Sequence, residues 1–255
     1  GQSKVIFAST DMTEKYTFSE SSEAHKRLNL TAHELKTIEA LGLTQEELCK
    51  LIAVEPLAEG SYALIFDIPL ETKQLVAKVW KNPHHDVDRS IHENAALRLL
   101  RLRKFDHAPY LENYIKSPTI LLEEKINGSP IEEYDEKTIK QLAVALAELH
   151  SIDLKSYGKP LSDRKTGTLL DCYQDGVSNL QQRMTAMNLD GEMLSMLTQA
   201  IDKLDGEAKK HKEAFTDNSF TLIHFDLNPN NIMRSEENNK LVIVDWEQAS
   251  AGDNA

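Results

Sequence analysis

Cysteine is nearly absent from this chain. Cys49 and Cys172 are the only two in 255 residues and lie far apart, which excludes a disulfide framework and a zinc site built on paired thiolates. That usage suits a reducing compartment, so a cytoplasmic location is expected. No apolar run approaches the roughly 18 residues of a membrane span, and the opening GQSKVIFAST lacks the charged start and apolar core of a signal peptide. Basic excess is missing too. A formal net charge of -12 excludes a general grip on nucleic-acid phosphates, which needs a basic surface to displace counterions, and suits a cationic small substrate. What is present is ordinary for a globular protein: 40% hydrophobic and 27% charged residues. At this length one large domain, or two lobes sharing a cleft, is expected.

One segment stands apart. Residues 223 to 233 read IHFDLNPNNIM and are followed at 241 to 247 by LVIVDWE. His224, Asp226 and Asn231 form an H-x-D-x-x-x-x-N array, and Asp245 closes an apolar run fourteen positions after Asn231. Phosphoryl transfer from a nucleotide asks for such a set, because its loose transition state needs positioning and charge neutralisation more than covalent help. Asp226 is the candidate base that orients an attacking hydroxyl, and Asn231 and Asp245 are candidate Mg²⁺ ligands. His224 reads as a supporting residue whose packing and hydrogen bonds shape the loop. Pro229 and the asparagines around it keep the segment irregular, while TLIHF and LVIVDW read as buried strands holding both its ends.

Upstream, an edge strand is expected around Lys4 to Phe7. Thr31 with Glu34 and Thr44 with Glu47 then make capping boxes that predict two helices parted by Gly42. Leu35, Ile38 and Leu41 line one face of the first, and Leu48, Leu51 and Ile52 one face of the second; the acidic character of the pair argues against a DNA-binding helix-turn-helix. From Val54 to Trp80 the pattern becomes strands, with Gly60 and Ser61 in a small-residue turn and KQLVAKVW as a buried strand. Lys78 inside that apolar strand demands an anionic partner, and Glu93, at the start of the helix IHENAALRLLRL, is the candidate. Ala95, Leu99 and Leu102 are that helix's packing residues. Residues 135 to 150 form an amphipathic helix with Ile139, Leu142, Ala143, Leu146 and Leu149 at helical spacing. Helices are expected over about 171 to 187 and 191 to 214, where Asp171, Asp175 and Glu192 read as solvated faces. His84 and His85 have no partner at ligand spacing and read as a surface loop.

The catalytic segment resembles that of the aminoglycoside phosphotransferase and choline kinase group, small-molecule kinases with the protein kinase-like fold. Asp245, Trp246 and Glu247, a DWE where protein kinases usually carry Asp-Phe-Gly, are similar to that group, as is ALAELHSID at 145 to 153. The resemblance runs from about residue 55 onward. It implies a bilobal α+β fold: an N-terminal extension over 1–53 packed on the small lobe, a nucleotide-binding small lobe of mostly antiparallel strands over 54–127, and a helical catalytic and acceptor-binding lobe over 128–255. It also implies ATP or GTP as co-substrate with Mg²⁺. Gly60 and Ser61 would then cover the phosphates, Lys78 fixed by Glu93 would hold the α and β phosphates, and the main chain of Glu124 and Ile126 would read the base. The implied acceptor is a small alcohol, aminoglycoside- or choline-like, which in the family meets the helical region that carries Asp171, Asp175 and Glu192. Phe225 stands where the family often has glycine. Members usually continue past the point where AGDNA ends this chain, and Gly1 is not a start methionine, so a partial or processed chain with an incomplete acceptor pocket is expected. Two other readings stand beside this one: a protein kinase acting on side-chain hydroxyls, against which only ten residues follow Asp245, and a nucleotide-binding pseudokinase or interaction module.

Overall fold

Alternating apolar residues along two hairpins build the first half of the protein. The computed structural model describes residue 39 and residues 43–52, 55–71, 73–81, 87–116, 119–159, 164–187 and 189–253. The expected strand near Lys4, the helix after Thr31, and His84 and His85 lie outside these. Strands β1 (Ala58–Glu59), β2 (Ala63–Pro69), β3 (Gln74–Trp80), β4 (Leu111–Lys116) and β5 (Thr119–Glu124) form one antiparallel sheet in the order β1-β2-β3-β5-β4. A tight turn, closed by the Leu70 N–H donating to the Lys73 carbonyl at 3.0 Å, sets the register of β2 and β3. Ile65 then faces Lys78 and Asp67 faces Val76.

Successive side chains point to opposite faces of this sheet, and each face finds a helix. Phe66, Ile68, Leu75, Ala77, Ile120 and Leu122 pack with Leu43 and Leu48, the latter on α1 (Gln45–Leu51). The Thr44–Glu47 capping box that starts α1 forms in both directions, as the sequence indicates. On the other face Trp80, Tyr114 and Leu121 meet Ala96, Leu97 and Leu100 of α2 (Val87–Leu102). Leu102, expected to pack, is 77% exposed because it stands two residues past Leu100, about 200° round the helix and so on its opposite side.

The chain leaves the sheet through residues 125 to 127 and enters β6 (Gly128–Pro130), which pairs with β8 (Ile232–Ser235); β8 pairs in turn with β9 (Leu241–Ile243). A Cβ on Gly128 would lie 2.1 Å from the Arg234 carbonyl oxygen, so this crossing admits only glycine. Helix α3 (Glu136–His150) starts at Asp135, whose carboxylate accepts from the Thr138 N–H at 2.7 Å. It buries Thr138, Ala145 and Leu149, while Ile139 at 52% exposure and Ala143 face out. The apolar stripe read from the sequence was therefore too wide.

Helices α4 (Leu169–Ala186) and α5 (Gly191–Lys210) follow, and a separate 3-10 turn, Lys212–Phe215, takes over the residues expected to prolong α5. Strand β7 (Thr221–Ile223) leads into the loop of Asp226 and Asn231, and β10 (Ser250–Gly252) returns to pair with β7. The two lobes share one core. Trp80 and Leu121 from the sheet belong to the same cluster as Leu149, Phe220, Leu222, Ile243 and Trp246. Trp246 is fully buried, donates its indole N–H to the Ile243 carbonyl at 2.8 Å, and meets Phe105 edge-on at 6.1 Å.

Truncating Trp246→Ala removes the ring that both lobes share. The expected loss is about 3–5 kcal/mol, read as a lowered urea midpoint at unchanged slope.

Candidate active site

Lys78 is 8% exposed, and such a position for an ammonium requires carboxylates. Glu93 Oε2 lies 2.7 Å from its Nζ and Asp245 Oδ1 lies 2.6 Å away. Burial opposes the charge on Lys78, and Glu93, Asp245 and Glu123 together outweigh it, so its pKa stands above the ordinary lysine value. Glu93 also binds backbone, since its other oxygen accepts the Trp246 N–H at 3.1 Å and so ties α2 to the segment after β9. The expected pair therefore forms and is part of a larger set.

Sequence reasoning missed three members of that set. Glu247 pairs with Arg89 at 2.8 Å, and the Arg89 guanidinium stacks 3.7 Å from the centre of the Tyr62 ring, beside Gly60 and Ser61. Arg89 stands four residues before Glu93, one helical turn away on the same face, a spacing that was legible. Carboxylate oxygens of Glu93, Asp245 and Glu247 lie within 4.8 Å of one another. The third is Glu123, 6% exposed on β5, where burial pushes its carboxyl up to about 7 against the pull of Lys78.

The loop after β7 presents Asp226. Its backbone N–H donates to His224 Nδ1 at 3.3 Å, and His224 Nε2 meets the Val244 carbonyl at 3.0 Å. A carbonyl only accepts, so Nε2 carries the proton and Nδ1 the lone pair. Burial lowers the His224 pKa and keeps the ring neutral, stacked edge-on to Trp246 at 4.6 Å. The histidine therefore ties the loop to the segment that follows β9. Asn228 opens a 3-10 turn, Pro229–Asn231, by accepting the Asn230 N–H at 3.0 Å. Asn231 Nδ2 then donates to the Asp226 carbonyl at 2.8 Å and to its Oδ2 at 3.1 Å, which leaves the Asn231 side-chain oxygen free of described partners. Asp226 itself is exposed.

Two residues here hold left-handed backbone without being glycine: Phe225 at φ 63 and Asp245 at φ 66. Each costs of order 1–3 kcal/mol, a strain that concentrates at functional sites. Phe225 turns its ring outward, 63% exposed, beside Asp226. Gly60 and Ser61 form a short exposed turn between β1 and β2, with the Gly60 N–H donating to the Ala63 carbonyl at 2.9 Å. A Cβ at Gly60 would meet nothing nearer than 3.5 Å, so space does not demand glycine there. Glu124 N–H is taken by the Tyr110 carbonyl at 2.8 Å, whereas the half-buried Ile126 keeps its N–H unpaired among the described residues. Asp171 is spent on the Thr168 cap of α4, and Asp175 holds the Tyr157 hydroxyl at 2.7 Å and Lys165 at 2.8 Å. Both have work inside the fold.

A lysine fixed by a helix glutamate, a loop aspartate steadied by an asparagine and a second aspartate after the following hairpin lie between a β lobe and a helical lobe. This is the bilobal, protein kinase-like α+β fold. The chain belongs to the choline/ethanolamine kinase family, whose sequence profile matches residues 72–255. No curated protein matches it. Among solved structures, a ternary complex of aminoglycoside phosphotransferase APH(4)-Ia with ADP and hygromycin B is similar at 17% identity and a TM-score of 0.60, covering 88% of this chain and 73% of that one. The Plasmodium vivax ethanolamine kinase Pv091845 is 13% identical at a TM-score of 0.54, covering 77% and 56%. The gentamicin complex of APH(2")-IIa is 20% identical at 0.54, covering 89% and 73%. No helix among the described residues is long and apolar enough to cross a membrane.

The acid excess at this site has a signed consequence. Glu123 rises from 4.5 to about 7, so the folded state holds a proton that the unfolded state has released, and its contribution to stability is present below pH 4.5 and lost as pH rises to about 7. In ligand-free protein, Glu123→Gln should therefore gain on the wild type as pH rises through that window, by on the order of 5 °C in melting temperature. Parallel melting profiles would refute the raised carboxyl.

Proposed function

We propose that this chain transfers the γ-phosphoryl group of a nucleoside triphosphate, ATP or GTP, to the hydroxyl of a small alcohol of the choline, ethanolamine or aminoglycoside kind. The observation that carries the reading is the exposed Asp226, steadied by Asn231 and His224 next to the cluster of Lys78, Glu93 and Asp245. In this reading residues 54–127 bind the nucleotide, 128–255 supply catalysis and acceptor binding, and 1–53 pack on the small lobe. The setting is cytoplasmic.

Asp226 orients the acceptor hydroxyl for in-line attack and takes its proton late in the reaction, since a leaving proton is needed only once the bond to phosphorus is well advanced. Lys78, aimed by Glu93, holds the α and β phosphates. Gly60 and Ser61 cover them, and the main chain of Glu124 and Ile126 meets the base. The donors fit Mg²⁺: Asp245 and the free Asn231 side-chain oxygen are hard oxygen ligands, with Glu247 close by. Bound there, the ion neutralises phosphate charge.

The chain turns from Asp245 directly into the 3-10 turn Trp246–Gln248 and back through β10 to β7. The DWE of residues 245 to 247, in place of the Asp-Phe-Gly of protein kinases, and the family match over residues 72–255 favour a small acceptor over a protein side chain. Filled catalytic positions favour turnover over a pseudokinase.

Coupled nucleotide-consumption assays with choline, ethanolamine and aminoglycosides test the proposal. At least one acceptor should stimulate turnover, and Asp226→Ala should lower kcat by a factor on the order of 10³ while nucleotide still binds. Undiminished turnover in that variant would remove Asp226 from its role. Lys78→Ala should raise KM for the nucleotide, and unchanged kinetics would take Lys78 out of the phosphate site.

A further inference from the structure

Cross-strand neighbours in an antiparallel sheet share a face, so the cleft side of the small lobe can be read row by row. Ile65, Lys78 and Leu121 make one row, and Asp67, Val76 and Glu123 make the next. The second row lies towards the connector, with an apolar residue between two acids. Asp67 Oδ2 binds Lys125 of the connector at 2.7 Å. Glu123 is more than nine-tenths buried, and its carboxylate makes no hydrogen bond or ion pair with any described residue. With no donor from the sheet or the connector, this carboxylate is left to partners in the cleft, and it lies one residue before Glu124 and three before the unpaired Ile126 N–H. It is a hydrogen-bond acceptor kept for something that enters the cleft.

We propose that Glu123 selects the base, its carboxylate accepting a hydrogen bond from the 6-amino group of adenine, so that ATP and not GTP is the phosphoryl donor. The inference rests on the nucleotide reading of the cleft given above. An exocyclic amine carries two hydrogens. One suits the Glu124 carbonyl of that reading, the ring nitrogen beside it suits the Ile126 N–H, and the second hydrogen is left for Glu123. Guanine presents a carbonyl oxygen at the same position, which would set two acceptors against each other with no hydrogen between them. A site built around a donor rejects the analogue lacking it, because its own buried acceptor is then stranded. Val76, half-buried between the two acids, gives the flat ring an apolar surface to lie against.

The test is equilibrium binding at pH 8, where Glu123 is ionised, of the magnesium complexes of ADP, GDP and purine riboside diphosphate, which has hydrogen in place of the amine. The wild type should bind ADP at least about tenfold more tightly than the other two. Glu123→Met should bring the ratio of ADP to purine riboside diphosphate close to one, and Glu123→Gln, which keeps an acceptor oxygen, should restore most of it. An unchanged ratio in Glu123→Met, or equal binding of GDP and ADP by the wild type, overturns the inference and leaves the phosphotransferase reading standing. Failure of the wild type to bind any of the three overturns both. Removing a buried unpaired charge does not threaten folding, so loss of structure is not expected to obscure the result.

Discussion

One buried ammonium sets the relations among the parts. Lys78 sits on a central strand, and the two carboxylates that pair with it come from α2 and from the second residue after β9. The sheet adds Glu123, which favours the charge without pairing with it. The rotation of α2 about its axis, the end point of β9 and the closeness of the lobes are therefore conditions for keeping one charge out of water. Such pairs are poor stabilisers, because desolvation takes back most of the Coulombic gain. Their value here is geometric: they admit one arrangement of three elements and penalise the rest. The fully buried Trp246 enforces the same arrangement from the apolar side, and its own N–H is held by Glu93.

How much of this was legible follows from where each partner lies. The loop of Asp226 and Asn231 was readable because its hydrogen bonds span at most five residues, so spacing and chemistry coincide. Lys78 and Glu93 were readable because a lysine within LVAKVW needs a partner. The pairing of Arg89 with Glu247 was not, since it spans 158 positions and the spacing of Arg89 to Glu93 says nothing of Glu247. Glu123 was hidden differently: in ILLEEK nothing local distinguishes it from the exposed Glu124 beside it, and only the strand register separates the two. The start of α4 was placed late because its capping box closes on Asp171 in place of the commoner glutamate. The width of the apolar stripe on α3 was overread for a simpler reason, namely that periodicity gives a face and not its edges.

In the proposed reading, catalysis and acceptor choice draw on different parts of the chain. The phosphoryl-transfer groups are interlocked by short contacts in the described core of the protein. By contrast, the acidic side chains that composition offers to a cationic acceptor are partly committed elsewhere, Asp171 to a helix cap and Asp175 to a tyrosine and a lysine. Net charge is thus a weak guide to the acceptor.

Phe225 and Asp245 bracket the site with backbone that L-residues seldom adopt. Glycine would sit at either position with less strain, so these are places where drift towards a sturdier chain meets little resistance. At Asp245 that drift deletes a charge on which Lys78 depends. At Phe225 it removes only a ring beside Asp226. One substitution at 225 would therefore relax the backbone and reshape the surface beside Asp226 without touching the ion pairs around Lys78.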